Sequence, residues 1–121
     1  MKKGIIILGH GSRSGGADDT VKQVAAEVRK FSGSDIVEYA FLEYAVPTLQ
    51  DAWEKCVRQK AEQIVLVPFF MQAGAHVTRD IPAFVETARK QHPEITIIVT
   101  EYVGAHPLMS KIVLDLIEKN K

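Results

Sequence analysis

His10, Glu43 and His76 are the residues of this chain whose types and settings can do chemistry together. His10 lies in Leu8-Gly9-His10-Gly11-Ser12-Arg13 and His76 in Gly74-Ala75-His76-Val77, each in a glycine-flanked turn just past an apolar, strand-like run. Glu43 follows the run ending Phe41-Leu42. A neutral imidazole offers a lone pair to a divalent metal or to a proton, and a pKa of ~6.5 leaves much of it neutral near pH 7. A carboxylate beside it can orient the ring, attract a cation or accept a proton. For each of the three the alternative is structural: a loop histidine held by a local hydrogen bond, or a surface or helix-start acid.

Neighbouring residues suggest what such a site would hold. Gly9 to Gly16 exposes backbone amides and carries Ser12 and Arg13, so it can receive a carboxylate or phosphate. It matches neither the dinucleotide nor the phosphate-loop fingerprint, and Ser12 lacks the setting of a hydrolase nucleophile. Phe70 and Met71 precede the His76 turn and either line an apolar planar ligand or finish the core. Arg79 is a second candidate contact for an acidic substrate, and Asp80 a candidate helix cap. His106, in Gly104-Ala105-His106-Pro107, shares the predicted rim or merely positions a helix start; His92 belongs to a helix end.

These residues converge only if the elements before them are parallel strands of one sheet. Gly4–Gly9, Asp35–Leu42, Gln63–Phe70 and Ile95–Val99 are the four strand candidates. The first is continuously apolar, as befits a strand covered on both faces, whereas the second mixes Glu38 among Val37, Tyr39 and Phe41 and suits an edge. Helical stripes lie between and after them: Val21, Val24, Ala25 and Val28; Leu49, Trp53, Cys56 and Val57; Ile81, Phe84, Val85 and Ala88; and Leu108, Ile112, Val113 and Leu116. Each stripe is expected to cover a sheet face. Pro47, Pro82 and Pro107 fall near helix starts and Gly33 near a helix end. The expectation is a three-layer α/β domain spanning 1–121 with a central four-stranded, largely parallel sheet, ligands binding beyond the strand C-termini.

Composition narrows the partners. Acidic and basic residues balance at 15 each, so no global charge favours nucleic acid or a membrane surface. The start is too short for a signal sequence of usual form or a spanning segment, and a cytoplasmic protein is expected. The single cysteine, Cys56, sits in an apolar helical stripe and reads as core. A chain of 121 residues builds a real core but a shallow cavity, so a large substrate calls for a second subunit.

Taken in order, Gly9-His10-Gly11-Ser12-Arg13, Phe41-Leu42-Glu43, Val67-Pro68-Phe69-Phe70, Gly74-Ala75-His76-Val77 with Asp80-Ile81-Pro82, and Gly104-Ala105-His106-Pro107 resemble the small sirohydrochlorin chelatases of the short CbiX type, within the wider tetrapyrrole chelatases. The resemblance covers nearly the whole chain. It implies a chelatase-like fold equivalent to one lobe of longer relatives, assembly as a homodimer, and a lyase-type insertion of divalent cobalt, nickel or iron into sirohydrochlorin without ATP or a prosthetic group. It carries the metal-site histidines onto His10 and His76 and the acidic position onto Glu43. Cobalt is the favoured metal. A non-catalytic metal or tetrapyrrole carrier and a histidine-dependent phosphoryl-transfer enzyme are the competing functions.

Overall fold

Four apolar runs pair as parallel strands in the computed structural model: β1 (Lys3–Gly9), β2 (Ile36–Phe41), β3 (Gln63–Pro68) and β4 (Thr96–Val99), in the order β2-β1-β3-β4. Residues 1–14 and 16–120 are described, with Ala17 and His76 described by backbone alone. The apolar β1 is central and the mixed β2 an edge, as their residue patterns require. Registers Gly9↔Phe41 and Leu8↔Pro68 bring the C-terminal ends of β1, β2 and β3 level.

Helices α1 (Gly16–Phe31), α2 (Leu49–Arg58), α3 (Ile81–Gln91) and α4 (Leu108–Lys119) follow the strands in turn. On one sheet face Ile6, Leu8, Ile36 and Ala40 pack with Leu49, Trp53 and Cys56 of α2 and Ile81, Val85 and Ala88 of α3. On the other face Ile7 and Phe41 pack with Val21 and Ala25 of α1. Cys56 is fully buried, in keeping with its core assignment. A reciprocal cap starts α2: Thr48 Oγ1 accepts from the Asp51 amide at 3.1 Å and Asp51 Oδ2 from the Thr48 amide at 3.0 Å. The Thr48 amide first, and then the Thr48 hydroxyl, hold the Asp51 carboxyl below its ordinary pKa.

Two expectations fail. The α4 stripe covers no sheet face: Leu108, Ile112, Val113 and Leu116 are 50–54% exposed, as are Leu114 and Ile117 at 60% and 57%. Consequently Val65 and Val67 of β3 are only half-buried and Ile98 of β4 is exposed on the side that α1 alone covers. Helical periodicity reports an apolar face but not which surface covers it. Asp80, at the start of α3, makes no side-chain cap bond; its Oδ1 accepts from Arg79 Nε at 3.1 Å, because His76–Asp80 already forms a helical turn running into α3 and displaces the cap position.

Candidate functional site

The sheet's C-terminal rim is built by backbone bonds that extend the strand pairing into the loops. The Leu42 and Glu43 amides donate to the carbonyls of Gly9 and His10 at 3.1 and 2.9 Å, and the Phe69 amide donates to the Leu8 carbonyl at 2.7 Å. Pairing therefore continues past Gly9 and fixes His10 beside Glu43. Gly11, at φ +95°, makes this approach feasible: a Cβ there would lie 1.6 Å from the Glu43 carbonyl oxygen. Gly104 permits a similar approach on the other side, where a Cβ would lie 1.9 Å from the Met71 carbonyl oxygen and its own amide donates to Phe70.

Within that frame His10 Nε2 stands 3.8 Å from Glu43 Oε2, with both side chains about half exposed. The other ring nitrogen, Nδ1, lies 3.1 Å from the Gly11 carbonyl. A carbonyl oxygen only accepts, so this contact assigns the proton of a neutral ring to Nδ1 and leaves the lone pair at Nε2. The Nε2 lone pair and the Glu43 carboxylate then form one electron-rich pair. Two ligand bonds of about 2.0–2.2 Å each span the 3.8 Å separation, so the pair can hold a divalent cation between its atoms.

The apolar candidates divide. Phe70 packs against the core and meets the His10 ring edge-on, with centroids 6.4 Å apart at 81°. Met71 is 51% exposed and lines, with His10, Gly11, Phe69 and Asp18, a cleft of about 270 Å³ beside α1. Asp18 had no signal in the sequence beyond that of an acid in a helix's first turn. Tyr44, also not singled out in advance, supports the Arg13 guanidinium 4.6 Å above its ring. Ser12 Oγ lies 3.4 Å from Ser14 Oγ, while Gly15 of the same loop lies outside the described residues.

His76 and Arg79 belong to the helical turn His76–Asp80, which the Thr78 amide and hydroxyl tie to the Gly74 carbonyl at 3.1 Å each. The His76 side chain lies outside the described residues. Arg79 is strongly exposed and paired with Asp80. His106 Nδ1 accepts from the Leu108 amide at 3.0 Å, a helix-start contact at α4. His92 packs near Trp53 and pairs with Glu94 at 3.1 Å, which helps lower the Glu94 carboxyl pKa after that residue's own backbone bond. Among the described residues no three His, Cys, Asp or Glu side chains converge as a metal site.

The sequence pattern of the CbiX family matches residues 4–120. The chain belongs to the CbiX family. Within the tetrapyrrole chelatases this is the small, sirohydrochlorin chelatase type. Its relatives include the chloroplastic sirohydrochlorin ferrochelatase of Arabidopsis thaliana, 36% identical over 115 residues covering 95% of this chain and 51% of that one. The sirohydrochlorin cobaltochelatase of Methanopyrus kandleri is 29% identical over 95% of this chain and 94% of its own. The CbiX chain thus spans about half of one relative and nearly all of the other.

Solved structures agree on the architecture. The CbiX protein of Marinobacter aquaeolei VT8 superposes with TM-score 0.81 at 28% identity, covering 98% of this chain and 96% of that chain. The sirohydrochlorin chelatase SirB of Bacillus subtilis subspecies spizizenii, in complex with cobalt, gives 0.87 at 29% identity over 98% of this chain and 51% of that one. The three-layer domain with its parallel four-stranded sheet is accordingly a chelatase-like fold.

Proposed function

We propose that this CbiX chain inserts a divalent metal, cobalt in preference to nickel or iron, into sirohydrochlorin or a close relative of that macrocycle, without ATP. The observation that carries the reading is the His10 Nε2 and Glu43 Oε2 pair, 3.8 Å apart at an exposed rim. A site that must release its metal needs a ligand set that is incomplete and open to solvent, unlike the closed four-ligand cage of a structural ion. His76, carried over from the family pattern, is the third donor. The names of similar proteins support both cobalt and iron chemistry on this framework.

In this mechanism His10 and His76 hold the metal at one macrocycle face while its waters leave. Pyrrolic nitrogens replace the protein ligands one by one. Two pyrrolic protons depart as the dication enters: Glu43, or a histidine that has released its metal, accepts one, and water at the open rim takes the other. Arg13, braced on Tyr44, and Arg79 receive substrate carboxylates, with Ser12 donating beside Arg13. Phe70 and Met71 form the apolar wall.

A second copy completes the enclosure. Six large apolar side chains of α4 stand at least half exposed beside the half-covered strands β3 and β4. Full burial of each contributes about 1.5–3 kcal/mol, so α4 is the surface on which two one-lobe chains pair as a homodimer. Competitive insertion of cobalt, nickel and iron into sirohydrochlorin at controlled free-metal concentrations tests the reaction and its preference. Cobalt should enter fastest; a rate no greater than the uncatalysed one for all three would reject the proposal.

A further inference from the structure

We propose that the cleft between α1 and the end of β3 is a waiting site for the hydrated divalent cation, with Asp18 as its anionic wall and His10 at its exit. The inference rests on the chelatase reading and adds the route by which the metal arrives. Asp18 is 6% exposed and is the buried charged side chain among the described residues. Its carboxylate takes no hydrogen bond or ion pair from any of them. No buried polar side-chain atom among these residues is both sealed from solvent and unpartnered, so the carboxylate oxygens open into the cleft they line.

The usual account of an acid in a helix's first turn does not cover this arrangement. Asp19, its neighbour, is exposed and complements the α1 dipole from solvent, a role that requires no burial. The Asp18 carboxylate is largely withdrawn from solvent and meets only what enters the cleft, so a cation there offsets the cost of its partial desolvation. Size and charge select the occupant. Six waters at about 30 Å³ each occupy roughly 180 Å³, which fits the cleft of about 270 Å³ with its ion. A tetrapyrrole macrocycle is disfavoured there because its carboxylates would meet the Asp18 charge. Thr20 and Met71 complete the walls, and His10 is shared with the Glu43 pair, so a cation held through its waters by Asp18 passes directly to the Nε2 lone pair.

The test titrates cobalt into the full-length protein without macrocycle, by calorimetry, for wild type and Asp18→Asn. The variant should bind cobalt about tenfold or more weakly, the usual scale for loss of an outer carboxylate partner. In insertion assays the half-saturating cobalt concentration should rise by a similar factor while that for sirohydrochlorin stays constant. If Asp18→Asn does not fold, cobalt should still broaden the Asp18 carboxyl carbon signal of the wild type before macrocycle is added. Unchanged cobalt affinity in a folded variant, or an unperturbed Asp18 signal, overturns the waiting site. Weakened cobalt binding in a protein that inserts no metal would keep the cation site and reject the chelatase reading; normal insertion with unaltered affinity would do the opposite.

Discussion

His10 and Glu43 are joined twice, by the Glu43 amide donating to the His10 carbonyl at 2.9 Å and by side chains whose Nε2 and Oε2 face each other at 3.8 Å. The backbone bond sets the spacing of the side-chain pair. An imidazole and a carboxylate on mobile loops would lose affinity to the entropy of ordering; here the sheet has already ordered them.

Gly11→Ala tests that frame. The new methyl would sit in the space of the Glu43 carbonyl oxygen at a backbone angle of +95°. Positive φ alone costs a non-glycine residue about 1–3 kcal/mol, and the clash adds to it. Urea unfolding should show at least ~2 kcal/mol of lost stability, with metal insertion reduced more than the folded fraction accounts for. Wild-type stability would contradict the described approach.

Glu43→Gln keeps the shape of the rim and removes its charge. In the proposed mechanism Glu43 both draws the cation and accepts a proton, so kcat for insertion should fall by about 10²–10⁴, with the melting temperature nearly unchanged because the side chain is about half exposed. A variant rate within twofold of wild type would remove Glu43 from the chemistry.

Leu116→Glu separates the fold of one chain from its association. Leu116 is 54% exposed, so the charge should leave far-UV circular dichroism intact. Sedimentation should show wild-type dimers and variant monomers at tens of micromolar protein. Wild-type monomers under these conditions, or persistent variant dimers, would contradict pairing through α4.

Cys56 gives a pH dependence with a definite sign. Burial, and then the nearby Glu38 carboxylate, push its thiol from 9.0 up to about 11. The folded state therefore favours the protonated thiol. That contribution is complete below about pH 9 and is lost as pH rises toward 11, where the unfolded chain gains by ionising first. Denaturation at pH 8, 9, 10 and 11 should record falling stability. A disulfide reagent at pH 8 should label the thiol only after unfolding.

Much of this arrangement is legible in the residues. The unbroken Ile5-Ile6-Ile7-Leu8 run marks a central strand, and once β2 lies parallel beside it, a histidine just past one strand and a glutamate just past the other must meet. Other features are not legible because they depend on what surrounds a residue. Asp18 has the sequence signature of any first-turn acid, and only tertiary packing buries it. Gly74 suggests an open turn at His76, whereas the chain enters a helical turn there and hands Asp80 to Arg79. The period of α4 is unambiguous, but its apolar side chains stand at least half exposed instead of packing on the sheet.

The most direct measurement is absorbance-monitored cobalt insertion into sirohydrochlorin by wild type and by separate His10→Ala and His76→Ala variants, each verified as folded. Both variants should lose most of the catalysed rate, since each removes a donor that the proposed mechanism assigns to the metal before the macrocycle takes it. Wild-type rates in both folded variants would contradict the account at its centre.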